Sequence, residues 1–190
     1  REREVESVAK NVFRVPSDVS FDDHPYQLEA IHNWMESDGQ GIFDMATGAG
    51  KTFTALGALS ALSEKLKDNI GVIILCPYQH LVEQWVEDIK RFNVTPLICY
   101  SKYDWKKKFK LTISDYKLGV IKNFCAIMVN ASYSTDYVQD ILRTAKGNLC
   151  IVVDEAHNFG AKRLQKCMLE NFKYRLALSA TLERHHDEEG

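Results

Sequence analysis

Two short segments carry the residue types that phosphate chemistry requires. The first is Met45-Ala46-Thr47-Gly48-Ala49-Gly50-Lys51-Thr52. Glycines at 48 and 50 let backbone N–H groups approach phosphate oxygens, and a helix opening at this point adds the positive end of its dipole. Lys51 can reach the β- and γ-phosphates of a nucleotide, and Thr52 can offer its hydroxyl to Mg²⁺. The general phosphate-loop pattern wants a glycine five residues before Gly50, where this chain has Met45. On the loop alone, the competing reading is a glycine-rich turn with a chance Lys-Thr.

The second segment is Leu149-Cys150-Ile151-Val152-Val153-Asp154-Glu155-Ala156-His157, an apolar run ending in two acids. A carboxylate at a strand end beside a phosphate loop can hold Mg²⁺, which is the role expected of Asp154. Glu155 can orient and deprotonate an attacking water. Neighbouring residues on an extended strand point to opposite sides. The two acids therefore need a turn between them to share a site. By itself the segment could be a solvated strand terminus; the loop about a hundred residues earlier argues against that.

Other constellations are weak. His185-His186-Asp187 is too local to define a metal site, and no H-E-x-x-H or G-x-S-x-G occurs. Cys76, Cys99, Cys125, Cys150 and Cys167 are odd in number and form no C-x-x-C. They read as free, mostly buried thiols of a reducing, cytoplasmic compartment.

The elements that must position these residues follow from the hydrophobic pattern. Short runs rich in Val, Ile, Leu and Cys predict strands at 41–45, 70–76, 95–100, 124–130, 149–154 and 175–179. Helices are predicted at 26–37, 52–66, 78–92, 105–118, 132–144 and 161–171. This alternation implies right-handed crossovers and an α/β fold with a doubly wound, mostly parallel sheet carrying helices on both faces. Ligands in such sheets bind at the carboxyl ends of the strands. The 190 residues, 45% hydrophobic, suffice for one compact domain. Lys+Arg number 24 and Asp+Glu 26, so no general basic coat exists and nucleic acid would have to meet a local patch. No apolar run approaches the roughly 20 residues of a membrane span. Residues 1–20 read as a helix plus linker, 21–184 as the domain, and 185–190 as the start of another linker. With Arg1 in place of an initiating Met, the chain looks like a piece of a longer one.

In combination, Ala46-Thr47-Gly48-Ala49-Gly50-Lys51-Thr52, Asp154-Glu155-Ala156-His157 and Ser179-Ala180-Thr181 resemble motifs I, II and III of superfamily 2 helicases of the DEAH type. That superfamily commonly lacks the first loop glycine. His24-Pro25-Tyr26-Gln27-Leu28-Glu29-Ala30-Ile31 resembles its adenine-recognition segment, and Leu75-Cys76-Pro77-Tyr78-Gln79-His80-Leu81-Val82-Glu83-Gln84-Trp85 resembles motif Ia. The style is similar to restriction-enzyme translocase subunits and repair-type DNA helicases. The resemblance implies the first RecA-like, P-loop NTPase domain of an ATP-dependent DNA helicase or translocase, with ATP and Mg²⁺ as cofactors.

The resemblance implies roles residue by residue. Tyr26 and Gln27 would recognise adenine, and a carboxamide can pair bidentately with adenine N6 and N7. Thr47, Gly48, Ala49, Gly50, Lys51 and Thr52 would hold the phosphates, and Thr52 and Asp154 the Mg²⁺. Lys51, Asp154, Glu155 and His157 would form the catalytic group. Ser179 and Thr181 would couple hydrolysis to movement. Relatives often carry Arg where this chain has His24. Pro77, Tyr78, Gln79 and Gln84, with Ser132 and Tyr133, would face nucleic acid, expected to be double-stranded DNA. A second RecA-like domain of the same parent chain would supply the remaining motifs, including an arginine finger. The isolated piece is therefore expected to hydrolyse ATP slowly at best and not to translocate. An RNA helicase, a P-loop kinase and a noncatalytic ATP-dependent switch are the alternatives. The basic, aromatic stretch 102–110 could form a stacking groove, but Trp105 and Phe109, four residues apart, favour a helix packing both rings inward.

Overall fold

The computed structural model describes residues 11–46 and 50–180. Thr47, Gly48 and Ala49 of the loop and the terminal stretches 1–10 and 181–190, which include Thr181, Arg184 and His185-His186-Asp187, lie outside the described residues.

Six strands form one sheet: β1 (Gln40–Met45), β2 (Ile70–Cys76), β3 (Leu97–Cys99), β4 (Asn123–Val129), β5 (Leu149–Val153) and β6 (Phe172–Ala180). Their order is β1-β6-β5-β2-β4-β3, and every pairing is parallel. Each connection therefore needs a crossover. The helices are α1 (Pro25–Glu36), α2 (Lys51–Lys65), α3 (Gln79–Arg91), α4 (Lys106–Lys117), α5 (Asn130–Tyr133), α6 (Asp136–Arg143) and α7 (Ala161–Cys167), with a 3₁₀ turn at Ala156–Phe159.

Strand alternation divides the core into two layers. Val72, Ile74, Cys76, Cys150 and Val152 join Leu56, Leu59, Val82 and Trp85 on the face covered by α1, α2 and α3. Ile73, Leu75, Ile151 and Val153 join Trp105, Phe109, Val138 and Leu142 on the face covered by α4 and α6. All seven residues of β2 are buried, as a central strand covered on both faces requires. Within residues 11–20 there is no helix; Val12 and Phe13 are core residues, so this stretch is part of the folded body.

The predicted helix 132–144 is two helices. The Ser134 hydroxyl donates to Asn130 O at 2.9 Å and the Thr135 hydroxyl to Ser132 O at 2.7 Å. Thr135 then caps α6 by accepting from the Val138 N–H. Short hydroxyl side chains compete with the helical ladder in this way, so the backbone turns and restarts. Strand β3 is three residues instead of six because it pairs on one side only, along Leu97 to Cys99 of the sheet edge. Trp105 and Phe109 point inward, 6% and 0% exposed, which excludes those two rings from a stacking groove.

Candidate nucleotide and nucleic-acid site

The chemistry-bearing residues collect at the carboxyl ends of β1, β5 and β6. Strand β6 lies between the strand that feeds the phosphate loop and the strand that ends in the acids, with Met45 beside Ala180 and Asp44 beside Ser179. Ser179 is buried there. Helix α2 opens at Gly50, whose φ of 75° is left-handed, a conformation glycine adopts without penalty. A side chain at Gly50 would also strike the amide nitrogen of Gln27. Gln27 is buried at the start of α1, so the segment expected to recognise adenine lies directly against Gly50.

The two acids occupy one site because the backbone turns between them. Cys150, Val152 and Asp154 share a strand face, which brings Asp154 under α2 and α3. Strict alternation would send Glu155 to the other face. Instead Glu155 adopts φ 47° and ψ 53°, a left-handed conformation uncommon outside glycine. Such a residue costs about 1–3 kcal/mol and persists where surrounding structure enforces it. The Lys51 ammonium is ion-paired with Glu155 Oε1 and lies 3.3 Å from Asp154 Oδ1. The Glu155 N–H also donates to Asp154 Oδ1 at 2.9 Å. Of His157, the described contact is with Glu155, Nδ1 to Oε2 at 3.6 Å, and its ring is exposed.

Asp154 is 3% exposed, and its second oxygen accepts a hydrogen bond from Trp85 Nε1 at 2.8 Å. Sequence reasoning placed Trp85 in a motif without giving it a role. A signal was present: Val82, Trp85, Val86 and Ile89 form the buried stripe of α3, and a buried indole N–H needs an acceptor. Beside Asp154, the Cys76 thiol is held far above its usual range, first by burial and then by the carboxylate's charge. It is a packing group, not a nucleophile.

A cleft of about 340 Å³ adjoins the loop, lined by Phe21, His24, Tyr26, Gln27, Gly50, Phe53 and Arg91 among others. The Arg91 guanidinium lies 5.1 Å from the Phe53 ring centre and 3.1 Å from Asp18. Neither Phe53 nor Arg91 stood out in the sequence, since a lone Phe and a helix-terminal Arg have many uses.

Of the residues expected to face nucleic acid, Tyr78, Gln79 and Gln84 are exposed and Pro77 is half-buried. The Tyr78 ring stacks on His80, centres 5.6 Å apart. Ser132 is half-buried, whereas the Tyr133 ring is 1% exposed and packs edge-on against Phe159. A contact from Tyr133, as expected from sequence, is closed off by that packing, and its backbone carbonyl is taken by the Gln139 Nε2–H at 2.7 Å.

The donor set suits Mg²⁺. Thr52 and Asp154 offer hard oxygens, and Mg²⁺ takes one or two such protein ligands and completes its shell with phosphate oxygens and water. Among the described residues no cluster of three or more His, Cys, Asp or Glu could hold a metal by itself.

An all-parallel sheet with a Lys51-bearing helix start and a paired-acid strand end defines the class as a P-loop nucleotide-binding domain, and the family match and relatives below support the first RecA-like domain of a superfamily 2 helicase. Comparison with known proteins makes the family specific. Residues 20–184 match the type III restriction enzyme, res subunit family, and the chain belongs to it. It is 28% identical over 170 residues to the "Putative DNA 3'-5' helicase Rad25" of Haloarcula marismortui, covering 86% of this chain and 23% of that protein. Among solved structures it is similar to a nuclease-deletion mutant of the type ISP restriction-modification enzyme LlaGI with a DNA substrate mimic. There the TM-score is 0.65 and identity 20%, over 82% of this chain and 17% of that one. It is also similar to the Sulfolobus solfataricus SWI2/SNF2 ATPase core with dsDNA. There the TM-score is 0.59 and identity 21%, over 94% of this chain and 35% of that one. The chain thus spans about a quarter of the curated relative's length.

Proposed function

We propose that this chain is the ATP-binding half of a motor that couples ATP hydrolysis to movement on double-stranded DNA. The observation that carries this reading is the pair of contacts that Lys51, at the start of α2, makes with Asp154 and Glu155. Phosphate oxygens would compete with both carboxylates for the Lys51 ammonium. When they win, Glu155 is released to take a proton from the attacking water, and Asp154 and Thr52 would hold the metal. Mg²⁺, bound with the nucleotide, neutralises phosphate charge. Gly50 and the loop residues Thr47, Gly48 and Ala49 cradle the phosphates, while Tyr26 and Gln27 hold the adenine in the adjoining cleft. Ser179, beside Asp44 at the end of β6, and His157, beside Glu155, would couple the site to motion together with Thr181.

The start of α3 (Pro77, Tyr78, Gln79, with Gln84 further on) and Ser132 form the nucleic-acid side. Contacts there are to the sugar–phosphate backbone, so sequence is not read. DNA is favoured over RNA because the named relative is a DNA helicase and the two structural neighbours are described with DNA. A second RecA-like domain of the same parent closes on the site and supplies the arginine finger. Without it we expect neither translocation nor strand displacement.

The test is DNA-stimulated ATP turnover in the full-length protein. Glu155→Gln should bind ATP and fail to turn it over, and Lys51→Ala should bind ATP poorly. Unchanged turnover in Glu155→Gln would sink the assignment.

A further inference from the structure

Asp154 is gripped from two sides. Its Oδ1 faces the Glu155 N–H at 2.9 Å and Lys51 at 3.3 Å. Its Oδ2 is taken by Trp85 Nε1 at 2.8 Å, with both side chains buried. An indole N–H is a donor only, so this bond has one polarity and one geometry. It fixes rotation of the carboxylate and leaves Oδ1 as the oxygen turned toward Lys51.

Trp85 belongs to the same helix whose first turn is the nucleic-acid segment. Helix α3 runs from Gln79 to Arg91 with Tyr78 as its cap, so Trp85 stands two turns from Tyr78 on a continuous helix. The helix is clamped to the sheet by Val82, Val86 and Ile89. A shift of its start is therefore carried to the indole N–H rather than absorbed in a loop.

From this geometry we infer that Trp85 is a positioning residue that aims Asp154 at the metal and transmits the state of the DNA-facing helix to it. The inference rests on the function proposed above. DNA seated on the first turn of α3 would reset the Trp85–Asp154 bond and thereby the site's grip on Mg²⁺. Partners that orient a metal-binding carboxylate typically matter by about 10–100-fold in metal affinity.

The experiment uses the full-length protein and Trp85→Phe, which keeps a buried ring and removes the N–H. ATP binding in EDTA should be unchanged, the Mg²⁺ needed for half-maximal turnover should rise about tenfold or more, and DNA should no longer lower that requirement. A readout independent of turnover is the indole ¹H–¹⁵N spectrum of wild-type protein with nucleotide. On adding Mg²⁺ the Trp85 resonance should move and those of Trp34 and Trp105 should stay, each indole being ¹⁵N-labelled at its own position alone so that tryptophans elsewhere in the full-length protein contribute no signal. This second measurement stands even where Trp85→Phe fails to fold. A Mg²⁺ requirement equal to wild type, or a stationary Trp85 resonance, overturns the inference while leaving the ATPase assignment intact. Unchanged turnover in Glu155→Gln overturns that assignment and the inference with it.

Discussion

At the amino ends of the central strands, the polar groups close on one another. The Tyr116 hydroxyl lies 3.2 Å from both Asn69 Oδ1 and Asn148 O and accepts from the Asn148 N–H at 3.1 Å. Asn148 Nδ2 donates to Asn69 O, and Asn123 Nδ2 to Asp68 O. Arg14 makes two 2.8 Å bonds to Asp68, which also accepts from Ser63. At the carboxyl ends of the same sheet, two adjacent carboxylates share one ammonium, and one of them sits on a left-handed backbone. The first arrangement pairs neutral amides and one matched ion pair. The second crowds like charges and backbone strain into one place. Polar groups paired within the protein stabilise it; groups held ready for a ligand cost stability until the ligand arrives. One end of the sheet holds the fold so that the other can hold the chemistry.

The largest expected effect breaks the carboxyl end alone. Glu155→Gln should lower ATP turnover in the full-length protein by about 10²–10⁴, the usual contribution of a general base. Its thermal midpoint should stay within a few degrees of wild type. A matching loss of stability would mean that Glu155 is structural and that the two ends do not differ in kind.

At the amino end the expected effects are reversed. Gly71→Ala would drive a methyl into the Phe124 ring and to 3.0 Å from Leu149. Overpacking of this kind costs about 1–3 kcal/mol, measured by urea unfolding. Tyr116→Phe should cost about 1 kcal/mol by removing the hydroxyl from its three partners. Neither change should alter ATP affinity.

The Arg14–Asp68 pair gives this end a pH signature. The hydrogen bonds from Arg14 hold the Asp68 carboxyl below the ordinary carboxylate range, against the opposing effect of burial. A lowered folded-state pKa contributes stability that is present above the ordinary value near 3.9 and is lost as pH falls through the folded-state value. Asp68→Asn should therefore cost about 1 kcal/mol at pH 7, discounted for partial exposure. The difference from wild type should narrow as pH falls below the ordinary value and through the lower folded-state one, as unfolding curves across pH would show.

The smallest effect concerns the thiols. Burial pushes Cys99 up to about 12, and Cys76, Cys125 and Cys150 higher still. These four should resist iodoacetamide at pH 8 in the native state and react in urea, as mass spectrometry can count. Rapid native alkylation of any of them would show that the sheet opens locally.

Much of the domain is written locally. Ile70–Cys76 is apolar throughout because both its faces are covered, and Lys51 and Asp154 follow strand ends whatever the rest of the chain does. Strand–helix alternation, the loop and the paired acids therefore follow from the sequence, since each depends on residues a few positions apart. What those segments meet does not. Trp85 reaches Asp154 across 69 residues and Lys51 reaches Glu155 across 104, and no local pattern specifies which buried donor finds which acceptor. The inward turn of Tyr133 and the left-handed turn at Glu155 belong to the same category. A polar aromatic and an acid each permit several conformations. Only the packing of α3, β5 and the 3₁₀ turn around them removes the alternatives, because in a close-packed interior the neighbours decide which conformation fits.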